Sequence, residues 1–163
     1  VVGWYQGRSE WGARALGNRS ILANPANKNM KDIINSKIKK RESFRPFAPS
    51  VLEDDVSKFF ECEIKSDFMN HIVKFKDEFT TIFPSVCHVD KTARLQTVSK
   101  KYNPLYYKLI EELKKITGYG IILNTSFNEN EPIVDTPLQA INCFLRTDMD
   151  ILFLGKFMVS KNI

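Results

Sequence analysis

Cationic side chains set among glycines, prolines and aromatics are the groups in this sequence best suited to chemistry. Six of the seven arginines fall in three runs, at residues 7–20, 39–49 and 93–97. In the first two runs, glycine and proline fix the backbone and aromatic rings exclude water. A guanidinium held in this way presents its planar fork of donors to a phosphate or a carboxylate. The pattern therefore predicts an anion-binding pocket.

The elements that must position these runs are strands and helices in mixed order. Apolar alternation and short apolar runs predict strands near residues 1–6, 20–23, 50–52, 71–76, 92–99, 119–123, 150–154 and 156–160. Helical spacing and capping residues predict helices near residues 28–38, 54–60, 104–117 and 136–146. Mixed strands and helices predict an α/β (α+β) sheet with helices on at least one face.

Particular residues mark the helix ends and faces. Caps are expected at Asn27, Asn103 with Pro104, Gly118, and Thr136 with Pro137. In the third helix the apolar spacing falls on Leu105, Leu109, Leu113 and Ile116. In the last helix the residues expected to face inward are Leu138, Ile141, Phe144 and Leu145. Residues 124–131 are expected to form a polar loop.

Composition places the chain among soluble globular proteins of one domain, residues 1–163. No apolar run approaches the ~20 residues that a membrane span requires. The chain opens on Val1, without a signal peptide pattern, so we expect a piece of a longer protein. Three dispersed cysteines argue against a disulfide framework and favour a reducing, cytoplasmic compartment. We expect no metal site, since a buried thiol beside an imidazole explains Cys87 and His88 better than a metal does.

The net charge of +5 favours anionic partners. The lysines are dispersed, and no nucleic-acid-binding signature is present, so nucleic acid is not the expected partner. Walker-A and Rossmann glycine patterns are also missing, which disfavours those routes to ATP. A nucleotide or a phosphorylated small molecule fits the charge equally well.

Four motifs in order carry a family resemblance that covers nearly the whole chain. They are GRSEWGARALGNRSIL at 7–22, KKRESFRPFAPSVL at 39–52, ARLQTV at 93–98 and ILNTSFNENEPIVDTP at 122–137. The sequence resembles the C-terminal domain of the O-carbamoyltransferases that act on nodulation factors and on aminoglycoside and cephalosporin antibiotics. It departs from the family at Ala13, where proline is common, and after Phe127, where a glycine is missing.

The resemblance implies a YrdC-like fold, a twisted mixed sheet with flanking helices. It implies a domain that binds ATP, with Mg²⁺ on the nucleotide, and carbamoyl phosphate. Such a domain forms carbamoyl-adenylate with release of pyrophosphate. An N-terminal Kae1-like domain, absent from this chain and carrying a histidine-bound iron, would pass the carbamoyl group to a sugar or natural-product hydroxyl.

Carried onto matching positions, the resemblance assigns nine residues. The catalytic anion ligands are Lys39, Arg45 and Arg94. The substrate and nucleotide ligands are Arg14, Asn124 and Ser126, with Arg8, Arg19 and Asn128 as second choices. Adenylation places charge on the α-phosphate and on the leaving pyrophosphate, so a ring of cations suits it.

Structural roles are the alternative for each residue. Glu10 pairing with Arg14, and Glu42 with Arg41 or Arg45, would make those arginines ordinary salt-bridge partners. Trp4 and Trp11 are expected in the core, with Phe44 and Phe47 as exceptions beside the anion site. For the whole chain, an RNA- or nucleotide-binding YrdC-like module and a non-catalytic scaffold domain remain the alternatives to an enzyme domain.

Overall fold

The computed structural model describes residues 1–40, 42 and 45–161, and these residues form eight strands and five α-helices. The strands are β1 (Val2–Tyr5), β2 (Arg19–Ala23), β3 (Ala48–Leu52), β4 (His71–Lys74), β5 (Thr92–Val98), β6 (Ile121–Ser126), β7 (Ile151–Leu154) and β8 (Phe157–Ser160). The helices are α1 (Met30–Ile34), α2 (Val56–Phe59), α3 (Asp77–Thr80), α4 (Pro104–Thr117) and α5 (Pro137–Arg146). A π-helical turn, Asn35–Lys39, follows α1, and a 3₁₀ turn, Glu53–Asp55, precedes α2.

The chain divides into two compact units. The first contains Val1–Ala23, Asn29–Arg45 and Asn124–Ile163, and the second contains Asn24–Lys28 and Pro46–Leu123. The chain leaves the second unit and enters the first within β6. Among the described residues, no helix is long and apolar enough to cross a membrane.

The first unit is built on β1. This strand pairs antiparallel with β2 and parallel with β7, and β7 pairs antiparallel with β8 across the turn at Gly155. Helix α5 packs against β1 and β7. The fully buried side chains include Ile21, Ile34, Phe127 and Phe144.

The second unit has its own sheet and its own aromatic core. Strand β5 pairs parallel with β3 and antiparallel with β4, and α4 packs on β3. Phe59 meets the rings of Phe79 and Phe83 edge-on, with centroids 5.1 and 5.6 Å apart, an arrangement that aromatic pairs favour. Both units mix parallel and antiparallel pairs with packed helices, which confirms the predicted α/β class. The YrdC-like topology within that class stays a prediction.

Local capping signals set the ends of the two long helices. The side chain of Asn103 accepts from the amide of Tyr106, and Gly118 ends α4 with a left-handed φ of +82°. Thr136 and Gln139 form a capping box at the start of α5, where Pro137 is the first helical residue. These ends were predicted because a cap depends on residues within one turn of it.

The predicted start of α1 and the predicted start of the polar loop at residue 124 are wrong, whereas residues 127–131 lie outside any helix or strand, as predicted. Helix α1 begins at Met30 after Asn29, which makes no side-chain cap, so Asn27 is not its cap. Strand β6 continues through Ser126, and the next amide, that of Phe127, still donates to the carbonyl of Arg19 at 2.9 Å. A paired backbone keeps polar residues in a strand although their side chains favour a loop.

The predicted inward faces of α4 and α5 are also only partly right. Helix α5 buries Ala140, Cys143 and Phe144, whereas Leu138 and Leu145 are 65% and 60% exposed. In α4 the buried residues are Tyr106, Tyr107 and Ile110, and the predicted stripe ends in the exposed residues Leu105 and Ile116. A helix buries the stripe that its neighbours cover, which hydrophobic spacing alone does not identify.

Gly3 in the middle of β1 leaves room for the ring that follows Ser126. A Cβ at this position would lie 3.0 Å from Cζ of Phe127 and 3.1 Å from Cδ1 of Leu152. Both side chains are fully buried. Close packing at Gly3 therefore helps to fix the backbone between Ser126 and Asn128.

We expect Gly3→Ala to lower the free energy of unfolding by about 1–3 kcal/mol, because the added methyl group overpacks this contact. Urea unfolding measures the change, with Ser160→Ala on the exposed strand β8 as a control that should change little. Combining Gly3→Ala with Phe127→Leu should cost less than the sum of the two single changes. A strictly additive result would mean that the ring contact is not the cause.

Candidate anion-binding site

Lys39 is buried at the end of the π-helical turn Asn35–Lys39, with 3% of the residue exposed. The chain turns sharply after it, since Lys40 takes a left-handed backbone with φ of 44°. The Lys39 ammonium donates to the main-chain oxygens of Ser126, at 2.6 Å, and Asn128, at 2.8 Å. It also donates to Oδ1 of Asn128 at 2.7 Å, and Oγ of Ser126 lies 3.3 Å away. The three N–H donors of the ammonium are thus matched by nearby oxygens.

Ser126 and Asn128 are also bonded to each other. Oγ of Ser126 donates to Oδ1 of Asn128 at 2.7 Å, and Nδ2 of Asn128 donates to the carbonyl of Glu131 at 2.6 Å. Phe127, between them, is fully buried in the core. We call Lys39, Ser126 and Asn128 the Lys39 cluster. The fold thus brings together three predicted site residues from segments 87 positions apart.

Asn124 connects this strand to the loop of the first arginine run. It is 1% exposed, and its Nδ2 donates to the carbonyl of Ala15 at 3.1 Å. The loop at residues 7–18 is therefore tied to β6 two residues before Ser126. In this structure the amide of Asn124 holds the loop and does not belong to the Lys39 cluster.

Arg19 is buried and binds main-chain carbonyls. Its NH1 donates to the carbonyls of Gln6 and Asn18 at 2.8 and 3.0 Å, and its NH2 to those of Gly7 and Asp135 at 3.1 and 3.3 Å. The guanidinium carbon lies 3.6 Å from the centre of the Tyr5 ring, a cation–π contact. With 3% exposure and its terminal nitrogens engaged, Arg19 fixes the base of the loop.

Glu10 organises the loop itself. One carboxylate oxygen accepts from the amides of Leu16, at 2.7 Å, Asn18, at 2.6 Å, and Arg19, at 3.2 Å. The alternative role of Glu10 as an ion-pair partner of Arg14 is therefore wrong for this structure. Hydrogen bonds to an ionised acceptor are the strong ones, so this oxygen holds the far half of the loop against its start.

Three predicted anion ligands are exposed cations. Arg8 and Arg14 project from the loop, and Arg45 ends its segment of the first unit. Their side chains make no hydrogen bond or ion pair with any described residue, Glu42 included. Guanidinium groups in this state keep all their donors available for an anion.

Arg94 lies in the second unit, on β5, whereas the other eight predicted residues lie in the first. It is half-buried and stands opposite Ile72 of β4, between the fully buried residues Ala93 and Leu95. Its assignment as an anion ligand stays a prediction.

The predicted positions of the aromatic side chains are only partly right. Trp4 is buried, 7% exposed, and its Nε1 donates to the carbonyl of Gly17 at 2.8 Å, as expected of a core residue. Trp11 is 100% exposed, so its predicted place in the core is wrong. Phe47 is 2% exposed, which makes it a core residue and not a stacking platform. Phe44 lies outside the described residues, as does Arg41.

A second group of charged residues forms ion pairs with the segment that follows Asn128. The ammonium of Lys40 lies 2.6 Å from Oε1 of Glu129, and Nε of Arg146 lies 3.2 Å from Oε2 of the same carboxylate. Arg146 also forms an ion pair with Glu131. We call these four residues the clamp. It fixes segment 129–131 directly after Asn128.

Charge pairing shifts the titration of the clamp. The hydrogen bond and charge of Lys40, with a further contribution from Arg146, hold the pKa of Glu129 below its usual value. The same pair raises the pKa of Lys40. These cations are thus already matched by carboxylates, unlike Arg8, Arg14 and Arg45.

The side of α5 near the clamp offers no obvious nucleophile. Burial, with the charge of Glu131 adding to it, raises the pKa of Cys143 to about 12, so the residue stays a thiol at neutral pH. A cavity of about 290 Å³ lies between residues 131–134 and α5, and Cys143 does not line it. The charged groups that line the cavity, Glu131 and Arg146, are paired with each other.

Comparison with known proteins decides the family. The family model described as carbamoyltransferase C-terminus matches residues 1–161. The chain belongs to this family. It is 54% identical over 99% of its length to nodulation protein NolO of Bradyrhizobium diazoefficiens, covering 30% of that protein. It is 38% identical over 80% of its length to the 3'-hydroxymethylcephem-O-carbamoyltransferase of Streptomyces clavuligerus, covering 24% of that protein.

This carbamoyltransferase C-terminal domain therefore spans less than a third of these relatives. Nodulation protein U of Rhizobium tropici shows the same relation, with 41% identity over 75% of the chain and 21% of that protein. Most of each relative lies outside the matched region. The family match over residues 1–161 includes the four motifs and hence the Lys39 cluster and the loop at 7–18.

The sequence did not predict the ion pairs of the clamp or the exposure of Trp11. Arg146 is the arginine outside the three runs, and a cation at a helix C-terminus is a recognisable signal. Glu129 and Glu131 appeared only as parts of a polar loop. Their ion pairs with Lys40 and Arg146 depend on a tertiary arrangement that no local pattern encodes.

We expect Glu10→Ala to loosen the loop, because three amides lose one charged acceptor. Hydrogen exchange at the amides of Leu16 and Asn18 should accelerate by about tenfold or more. Glu10→Gln keeps a neutral acceptor oxygen, so its exchange rates should lie between those of Glu10→Ala and the wild type. Unchanged exchange in Glu10→Ala would show that other contacts hold the loop.

The clamp should contribute to stability in a pH-dependent way. A carboxylate whose pKa is lower in the folded state than in the unfolded state stabilises the fold at any pH above its unfolded-state pKa, about 4.3. This stabilisation is lost as the pH falls through the folded-state pKa. Glu129→Gln should therefore be less stable than the wild type at pH 7, and the difference should shrink below about pH 4. Urea unfolding across this range measures it, with the exposed Glu78→Gln as the control. A difference that is constant with pH would contradict the assignment.

Proposed function

We propose that this domain binds ATP and carbamoyl phosphate and forms carbamoyl-adenylate, and that the rest of a longer enzyme transfers the carbamoyl group to an acceptor hydroxyl. The match to the carbamoyltransferase C-terminus over residues 1–161 supports the reaction class. A relative whose name states O-carbamoyl transfer to a hydroxymethylcephem supports a hydroxyl acceptor. The observation that carries the proposal is the Lys39 cluster, which the fold assembles from the second and fourth motifs.

The proposed formation of carbamoyl-adenylate has two steps. Water splits carbamoyl phosphate into carbamate and phosphate. An oxygen of carbamate then attacks the α-phosphorus of ATP, so that a new P–O bond forms and the bond to pyrophosphate breaks. Negative charge accumulates on the α-phosphate and on the leaving pyrophosphate, and fixed cations lower the energy of that transition state.

We assign the binding of phosphate oxygens to cations in two environments, exposed arginines and the buried Lys39. Arg8, Arg14 and Arg45 have uncommitted donors and bind phosphate oxygens. Lys39 reaches a phosphate by exchanging one neutral oxygen for a charged one, which makes a stronger hydrogen bond. Arg94 is assigned to the same task from the family motif.

The polar groups at the end of β6 orient the ligand. Ser126 and Asn128 are only half-buried, so the Ser126 hydroxyl and the Asn128 amide can turn toward the adenylate or the carbamoyl group. Asn124 supports them by holding the loop at 7–18. No residue of the cluster needs to act as a covalent nucleophile in this scheme.

Other components of the proposal lie outside these residues. Mg²⁺ enters with ATP as part of the substrate. The histidine-bound iron and the Kae1-like domain would belong to the N-terminal part of the longer enzyme, with the acceptor, a sugar or natural-product hydroxyl, bound there. A cytoplasmic location fits these substrates and stays a prediction.

We expect ATP·Mg²⁺ and carbamoyl phosphate each to raise the melting temperature of this domain. A ligand at a hundred times its Kd adds about 2.7 kcal/mol of stability. Thermal-shift titration measures this, with pyrophosphate release followed in parallel. Stabilisation without release would assign the missing step to the rest of the enzyme, and no stabilisation by either ligand would overturn the proposed function.

Arg45→Ala and Arg94→Ala should each weaken ligand binding about tenfold to a hundredfold, the value of a charge-assisted hydrogen bond. Lys28→Ala is the matched control, because it removes one exposed positive charge elsewhere and should leave binding unchanged. Isothermal titration calorimetry gives the dissociation constants. Wild-type affinity in both arginine variants would remove these residues from the site.

A further inference from the structure

Trp11 is an exception among the large apolar side chains of the first unit. It is 100% exposed, and its ring contacts no other ring or cation among the described residues. Trp4, by contrast, is 7% exposed and hydrogen-bonded. Leaving a whole indole in water forgoes a large gain from burial, so a fully exposed tryptophan favours a contact with a ligand or partner.

The loop holds Trp11 in a defined place. Gly7 and Gly12, with φ of 50° and 101°, shape the turns on either side of it. Glu10, its direct neighbour, accepts from three backbone amides. Asn18 donates to the carbonyl of Arg8 at 2.8 Å, which closes the loop across Trp11. An aromatic ring on a loop ordered in advance binds with a smaller loss of conformational freedom.

Exposed cations precede and follow Trp11 along the same loop. Arg8 and Arg14 stand three residues before and after Trp11, both exposed and both without a partner among the described residues. The loop therefore carries one exposed aromatic ring and two exposed guanidinium groups within seven residues. A nucleotide has the complementary chemistry, since its base stacks on an aromatic ring and its phosphates accept from arginine.

We propose that Trp11 stacks on the base of the bound nucleotide while Arg8 and Arg14 bind its phosphates. This inference rests on the proposed function, which requires ATP but assigns no residue to the base. A base contact is needed because the Lys39 cluster and the arginines supply only hydrogen bonds and charge. Trp11 is thus the specificity-determining residue for a nucleotide over a simple polyphosphate.

The loop is connected to the rest of the candidate site. Nδ2 of Asn124 binds the carbonyl of Ala15, next to Arg14. Asn124 lies two residues before Ser126 on β6. The loop and the Lys39 cluster are therefore attached to the same strand, all within the first unit.

The test compares ATP·Mg²⁺ with tripolyphosphate·Mg²⁺, which carries the phosphates without the base. Calorimetry gives both dissociation constants for the wild type, Trp11→Ala and Trp11→Phe. Stacking predicts that Trp11→Ala weakens ATP binding about tenfold, leaves tripolyphosphate binding unchanged and keeps the wild-type melting temperature. Trp11→Phe, which retains an aromatic face, should restore most of the affinity for ATP.

Fluorescence supplies an independent readout. ATP should quench the emission of Trp11 with the same dissociation constant as calorimetry gives, and tripolyphosphate should not. The Trp11→Phe variant, whose remaining tryptophan is the buried Trp4, should show little quenching. Arg8→Ala should weaken ATP and tripolyphosphate binding to the same extent.

Four results would overturn the inference. Equal ATP affinity in Trp11→Ala and the wild type would remove Trp11 from the site while leaving the proposed function intact. Equal losses for ATP and tripolyphosphate would show that Trp11 does not contact the base. A change of oligomeric state in Trp11→Ala, seen by gel filtration, with ATP affinity unchanged, would assign the ring to a protein contact. If the wild type binds no ATP at all, the proposed function fails, and the inference fails with it.

Discussion

The burial of one ammonium group constrains the candidate site more than any other interaction. A charged amine removed from water costs several kcal/mol unless oxygens replace its hydration shell. Lys39 meets this requirement with oxygens of Ser126 and Asn128. The end of β6 must therefore stop where the ammonium can reach it, and the π-helical turn must bring Lys39 there. This requirement constrains the conformation of both segments, together with the packing of Phe127 against Gly3 and the ion pairs of the clamp.

Two kinds of cation occur in the first unit, and their contacts distinguish them. Lys40 and Arg146 face carboxylates, and the resulting clamp holds the backbone after Asn128. Arg8 and Arg14 face solvent. A paired charge contributes a fixed position, whereas an exposed arginine without a partner retains its capacity to bind an anion. Arg146 is thus paired with carboxylates whereas Arg8 and Arg14 are not, and only the tertiary contacts of each arginine distinguish the two cases.

The loop at 7–18 shows how a charged residue can act as a structural element. The carboxylate of Glu10 accepts hydrogen bonds from three backbone amides, which replaces the backbone pairing that a loop lacks. Arg19 donates hydrogen bonds to the backbone carbonyl groups at the base of the loop. Together they satisfy main-chain groups that a strand or helix would otherwise satisfy. Arg14 is left uncommitted as a result.

Local sequence patterns predict the α/β class, most strands and the ends of α4 and α5, because caps and alternation depend on residues only a few positions apart. The order of the four motifs also identified the family, and Lys39, Ser126 and Asn128 among the candidates. Tertiary structure alone decided which face of each helix is buried, that Arg19 lies inside and Trp11 outside, and that Lys39 meets residues 87 positions away. Burial and ion pairing are set by which distant segments exclude water from a side chain, and no local spacing contains that information.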